Sequence, residues 1–190
     1  MTYVRFAVLL ALVAGLCCAA PYAQMTPPAA APTVAGVLDR SISSVERQFV
    51  PLAEAMPAEK FTYAPTQGEF KGVRNFQEQV AHVAYVNFMF ASAILGEKNP
   101  VEMVGAEGVA VKNKDEAVKA LKDSFAYLHK AVATINEKNL IEPIKSPFGS
   151  GTATRLGLAT SAATHGMDHY GQCVEYLRAN GIIPPASRQQ

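Results

Sequence analysis

Apolar residues recur three and four positions apart along four separate stretches of the chain, the spacing that lines one face of an α-helix. In the first stretch Val37, Leu38, Ile42, Val45, Phe49 and Leu52 predict a helix over 34–55. Pro51 is expected to interrupt its last turn and Pro57 to end it. In the second, Phe76, Val80, Val83, Asn87 and Phe90 form one stripe with His82, Val86 and Met89 beside it. That predicts a helix over 73–95 whose apolar surface is broad enough to meet more than one neighbour, stopped by Gly96 and Pro100. Val118, Leu121, Phe125, Leu128, Val132 and Ile135 predict a third helix over 115–139, and Asn113 and Glu116 ahead of it have capping-box spacing. The fourth is expected over 153–180, with Arg178 suited to the negative end of the helix dipole and Gly181 to the C-terminal cap.

Period-two alternation is missing, so the expected fold is all-α, a four-helix bundle. Connections of roughly fifteen residues exceed what adjacent antiparallel helices need, which points to at least one crossover. One of these connections carries Pro143, Pro147, Gly149 and Gly151 and reads as a loop.

Composition narrows the class. At 190 residues, with 49% hydrophobic and 17% charged residues, the chain fits one domain and is too apolar to be a disordered tail. Its formal charge is +1, without a lysine or arginine run or basic residues interleaved with aromatics, so no nucleic-acid partner is expected. Residues 1–23 have the three-part layout of a secretory signal: Arg5, an apolar run from Phe6 to Leu16, then small residues. The run is short for a membrane span, and Leu16 is bulky where lipidation at Cys17 would want a small residue. The expected location is therefore periplasmic or secreted, with no membrane contact beyond the export signal. Residues 24–33, rich in proline and alanine, read as a tether, and 34–190 as the folded domain. Only Cys173 then remains in the mature part, so the domain has no internal disulfide.

The candidate chemistry lies in the histidines. His165 and His169 are four apart and so project from one helix face, a spacing at which two imidazoles can share a divalent metal. Burying neutral imidazoles calls for a partner for each nitrogen. The run HGMDH has no internal glutamate, which argues against a zinc protease. Asp168 points off the pair's face, His129 reads as a surface residue, and Cys173 as a small core residue. His82 stands alone in apolar company on the second helix, and spacing by itself leaves open whether it meets the other two. Glu78, one turn before His82, is the candidate for support from outside the ligand set; Gln172 and Asn87 are weaker candidates to orient a ligand or water.

The segments VRNFQEQVAHVAYVNFMFASAILGE and THGMDHYGQCVEYLRANGIIPP resemble the DinB-like (DinB/YfiT) superfamily of metal-binding four-helix proteins. The resemblance rests on Phe76, Glu78, His82 and Ala84 in one pattern, and on His165, His169, Gly171, Gln172, Tyr176, Leu177, Arg178, Gly181, Pro184 and Pro185 in the other. MPAEKFTYAPTQGEF resembles the lead-in to the histidine helix; Cys173 and Tyr170 depart from the usual residues. The resemblance implies that His82, His165 and His169 are the three metal ligands. Three imidazoles suit zinc or nickel, with iron or manganese also within their range, and leave an open coordination position for water, a thiolate or a substrate oxygen. The resemblance further implies a metal-dependent hydrolase or a thiol-dependent S-transferase; a non-enzymatic, metal-dependent structural or binding protein of the cell envelope stays open beside them. The small-molecule substrate is not legible, and a homodimer stays open.

Overall fold

The computed structural model describes residues 31–105 and 108–188; the expected signal segment and most of the tether lie outside the described residues. The domain occupies the unit Pro32–Gln190 and is built from α1 (Val34–Ala55), α2 (Phe76–Leu95), α3 (Lys114–Val132) and α4 (Arg155–Ala179). Each helix starts at a side-chain cap. Thr33, Asn75, Asn113 and Thr154 accept from the backbone N–H three residues on, at Gly36, Glu78, Glu116 and Gly157.

The principal contacts run α1 to α3, α3 to α2, α2 to α4 and α4 to α1. The four helices therefore form a ring in which α1 faces α2 across one diagonal and α3 faces α4 across the other. Two of the three connections span a diagonal, and that accounts for their length. Phe49, Leu52, Phe76, Leu121, Phe125, Leu128 and Leu177, none more than 1% exposed, fill the centre.

The first diagonal connection also prepares α2. A helix begins with N–H groups that have no partner of their own. Here the Phe76 and Gln77 N–H groups donate to the carbonyls of Tyr63 and Phe61, both at 2.8 Å. Phe61 packs edge-on against Phe76, with centroids 5.2 Å apart. From α4, the Tyr176 hydroxyl donates to the Arg74 carbonyl at 2.9 Å. The N-terminal half of α2 is thus tied to both the linker and α4.

Several details differ from the sequence expectation. α1 passes through Pro51 to Ala55, because Leu52 and Ala53 just beyond it are buried and hold the last turn in the core. α2 begins at Phe76 rather than 73, since Asn75 takes the capping position. α3 ends at Val132, and the loop after it folds into a two-stranded antiparallel ribbon, β1 (Pro143–Lys145) with β2 (Thr152–Thr154), in which Ile144 faces Ala153. Three-residue strands are too short to show a period. Among the described residues, no helix is long and apolar enough to cross a membrane.

Candidate metal centre

His82 stands in the first half of α2, and His165 and His169 in the middle of the antiparallel α4. The fold brings the three rings together. His165 Nε2 lies 3.2 Å from His82 Nε2 and 3.1 Å from His169 Nε2, with ring centroids 4.4–5.1 Å apart. Among the described residues they are the cluster positioned to hold a metal ion, and His82 and His165 are only half-buried.

The donor chemistry fits a cation. Nitrogens bound at about 2.0–2.1 Å stand about 3.3–3.4 Å apart on a tetrahedral ion and about 2.8–3.0 Å apart at adjacent positions on an octahedral one. The two Nε2–Nε2 separations, 3.1 and 3.2 Å, fall between these values and suit either geometry. Burial, followed by the neighbouring imidazoles, pushes the pKa of His165 down to about 4 and that of His169 to about 3. Both rings are then neutral at pH 7 with lone pairs to offer. Arg74 adds a positive charge that lowers both further, while Asp168 acts in the opposite sense on His165.

His169 is held from behind. Its Nδ1–H donates to Gln79 Oε1 at 2.6 Å, which leaves Nε2 unprotonated. Gln79 Nε2 donates to Gln172 Oε1 at 2.9 Å, and Gln172 Nε2 donates to Asp168 Oδ2 at 3.0 Å. His165 has no such support: its Nδ1 is buried without a partner among the described residues.

Glu78 does not support the ligands. Its carboxylate accepts from the Asn75 N–H at 2.8 Å and closes a capping box at the start of α2. Gln79, its neighbour, takes the supporting place. Gln79 is 2% exposed, and its place three residues before His82, on the same helix face, is the sequence signal that could have found it. His129 is not a simple surface residue either; its two ring nitrogens lie 2.6 Å from Asp39 and 3.0 Å from Glu46, both on α1. Asn87 donates to Ser124 in the α2–α3 contact. Cys173 is fully buried and its thiol pKa is raised by burial, as befits a small core residue.

The profile of the DinB superfamily matches residues 41–173, a span that includes all three site histidines. The chain belongs to the DinB superfamily. A DinB-like protein, YjoA, from Bacillus subtilis has a similar structure, with a TM-score of 0.61 and 19% identity over 81% of this chain and 99% of that one. A conserved protein from Enterococcus faecalis is similar with a TM-score of 0.63 and 18% identity, over 78% of this chain and 97% of that one. At such identities the likeness is one of fold. No curated protein matches the chain.

This DinB-superfamily domain also carries a cleft of about 710 Å³ between the second half of α2 and the β-ribbon, lined in part by Tyr85, Met89, Ser92 and Lys145. Tyr85 and Met89 follow His82 by three and seven residues and so share its helix face. Met89 stands two turns beyond His82, about 10 Å along the axis.

Proposed function

We propose that the domain holds a divalent metal ion on His82, His165 and His169 and hydrolyses a small ester or amide at the ion's open side. The observation that carries this reading is the convergence of three Nε2 atoms in a site that stays half-open at His82 and His165. A bound divalent ion supplies Lewis acidity and makes a coordinated water or thiol more acidic. Zinc and nickel suit the three imidazoles best, and iron or manganese fall within the same donor set. The cleft beyond Tyr85 and Met89 offers room for an apolar substrate body. Arg74 beside the site favours a substrate on which negative charge is present or develops.

Thiol-dependent transfer is the less favoured chemistry, because export of the domain would separate it from the cytoplasmic thiols such transfer uses. A second reading, metal binding without turnover, draws support from the carboxylates: Glu78 is committed to the α2 cap and Asp168 to Gln172, so neither serves as an obvious general base.

Metal analysis of protein purified from its native compartment tests the site. We expect one divalent ion per chain, lost in His82→Ala; unchanged stoichiometry in that variant overturns the site. A panel of small esters and amides, with and without the metal, tests hydrolysis. Turnover that disappears in a folded His165→Ala variant supports it. A metal-loaded protein inert towards the whole panel overturns it in favour of binding alone.

A further inference from the structure

We infer that Asp168, acting through Gln172 and Gln79, fixes the ring tautomer of His169 and so keeps its Nε2 free for a metal. The purpose assigned to this relay rests on the metal-site reading above; the relay itself is a property of the metal-free protein.

A primary amide has nearly the same shape when turned over, so neither glutamine can set the direction of a hydrogen-bond chain alone. With Gln79 reversed, its NH₂ would donate to His169 Nδ1. The ring hydrogen would then sit on Nε2 and point at His165 Nε2, 3.1 Å away, where it would block a cation. An ionised carboxylate has no such freedom, because it only accepts.

The polarity therefore starts at Asp168. Its Oδ2 receives the Gln172 NH₂ at 3.0 Å, which turns Gln172 Oε1 towards Gln79. Gln79 must then present its NH₂ to Gln172, at 2.9 Å, and its oxygen to His169. That oxygen, 2.6 Å from Nδ1, holds the ring hydrogen there. Asp168 and Gln172 lie four apart on α4, and Gln79 crosses from α2, so the relay also links the two ligand-bearing helices. Asp168 acts on the His169 ring through the two glutamines. It is a positioning residue.

The test uses the full chain, metal-free, labelled with ¹⁵N at histidine, at a fixed pH near neutrality. Long-range ¹H–¹⁵N spectra report which ring nitrogen of His169 carries hydrogen. We expect a single Nδ1–H form in the parent and in Asp168→Glu, and a mixture with the Nε2–H form in Asp168→Asn. Gln172→Ala, which cuts the relay in its middle at an exposed position, should give the same mixture. Zinc affinity, measured by competition, should fall about tenfold in Asp168→Asn and recover in Asp168→Glu. A single Nδ1–H form in both Asp168→Asn and Gln172→Ala overturns the relay, even where affinity drops, since the drop then reflects lost charge alone. Failure of the parent to bind zinc would overturn the metal-site reading, and the tautomer measurement would still decide the relay.

Discussion

Gly166 of α4 lies so close to Val45 of α1 that a Cβ built on the glycine would stand 2.7 Å from Val45 Cγ1. The glycine follows His165 directly and precedes His169 by three residues, so it lies on the flank of the helix beside the ring cluster. Its missing side chain lets α1 seat against α4 beside the histidine pair. HGMDH thus contains a packing residue as well as two candidate ligands.

Replacing a mid-helix glycine by alanine ordinarily stabilises a protein by about 0.5–1 kcal/mol. At Gly166 the sign should reverse, because Val45 is β-branched and cannot easily swing away. We expect Gly166→Ala to destabilise the domain by about 1–3 kcal/mol in urea unfolding. In a Val45→Ala background the same change should be nearly neutral or stabilising, giving a coupling that a double-mutant cycle measures directly. Equal losses in the two backgrounds would refute the contact.

The apolar stripes and the Asn113 cap were legible in the sequence, because both depend on residues within one or two turns; the caps at Thr33, Asn75 and Thr154 emerge only from the structure. The helices accordingly fall within three residues of their expected bounds, except that α3 ends at Val132 rather than 139. The ring order was not legible, since nothing local states which helix α1 will pack against. At the site, spacing revealed that His165 and His169 share a face. That His82 meets them depends on the register of α2 against α4, which Tyr176, Arg74 and the Phe61–Tyr63 linker set over long range. Glu78 and Gln79 show the same limit. They are neighbours on one helix, and only the tertiary structure separates the capping residue from the one that holds His169.

That separation can be tested. Asn75→Ala removes the cap and should cost about 0.5–2 kcal/mol of stability. Glu78→Gln keeps a side chain able to complete the capping box, so both stability and zinc affinity should be unchanged. A clear fall in zinc affinity for Glu78→Gln would return Glu78 to the ligand support from which the structure removes it.

His129 should make a pH-dependent contribution of its own. Burial disfavours its charged form, but hydrogen bonds donated by the ring to Asp39 and Glu46 outweigh this and raise its pKa above the ordinary 6.5. Since both ring nitrogens face carboxylates, the doubly protonated ring satisfies both. A raised folded-state pKa gives stabilisation that is complete below 6.5 and fades as pH rises through the folded value. The stability lost in His129→Gln should therefore be largest near pH 6 and shrink towards pH 9. A difference that stays constant or grows with pH would show that the ring is not charged between α1 and α3.

The metal-site histidines carry the opposite sign, and proton release on metal binding exposes it. Their folded-state values, about 4 for His165 and about 3 for His169, lie below the ordinary 6.5. As pH falls from 6.5 towards 4 and 3, the unfolded chain takes up protons that the native site resists, so the metal-free protein should lose stability across that window. At pH 6.0 in the native state both rings are already neutral and have no proton to give up. Three unperturbed imidazoles would together release about 2.3 protons to a metal at that pH. Here zinc binding should release no more than about one, because His165 and His169 contribute none. Calorimetric titrations at pH 6.0 in buffers of different ionisation enthalpy measure the number. A release of two or more would mean that the pair is charged before the metal arrives. The buried, neutral pair would then not be the resting state of the site.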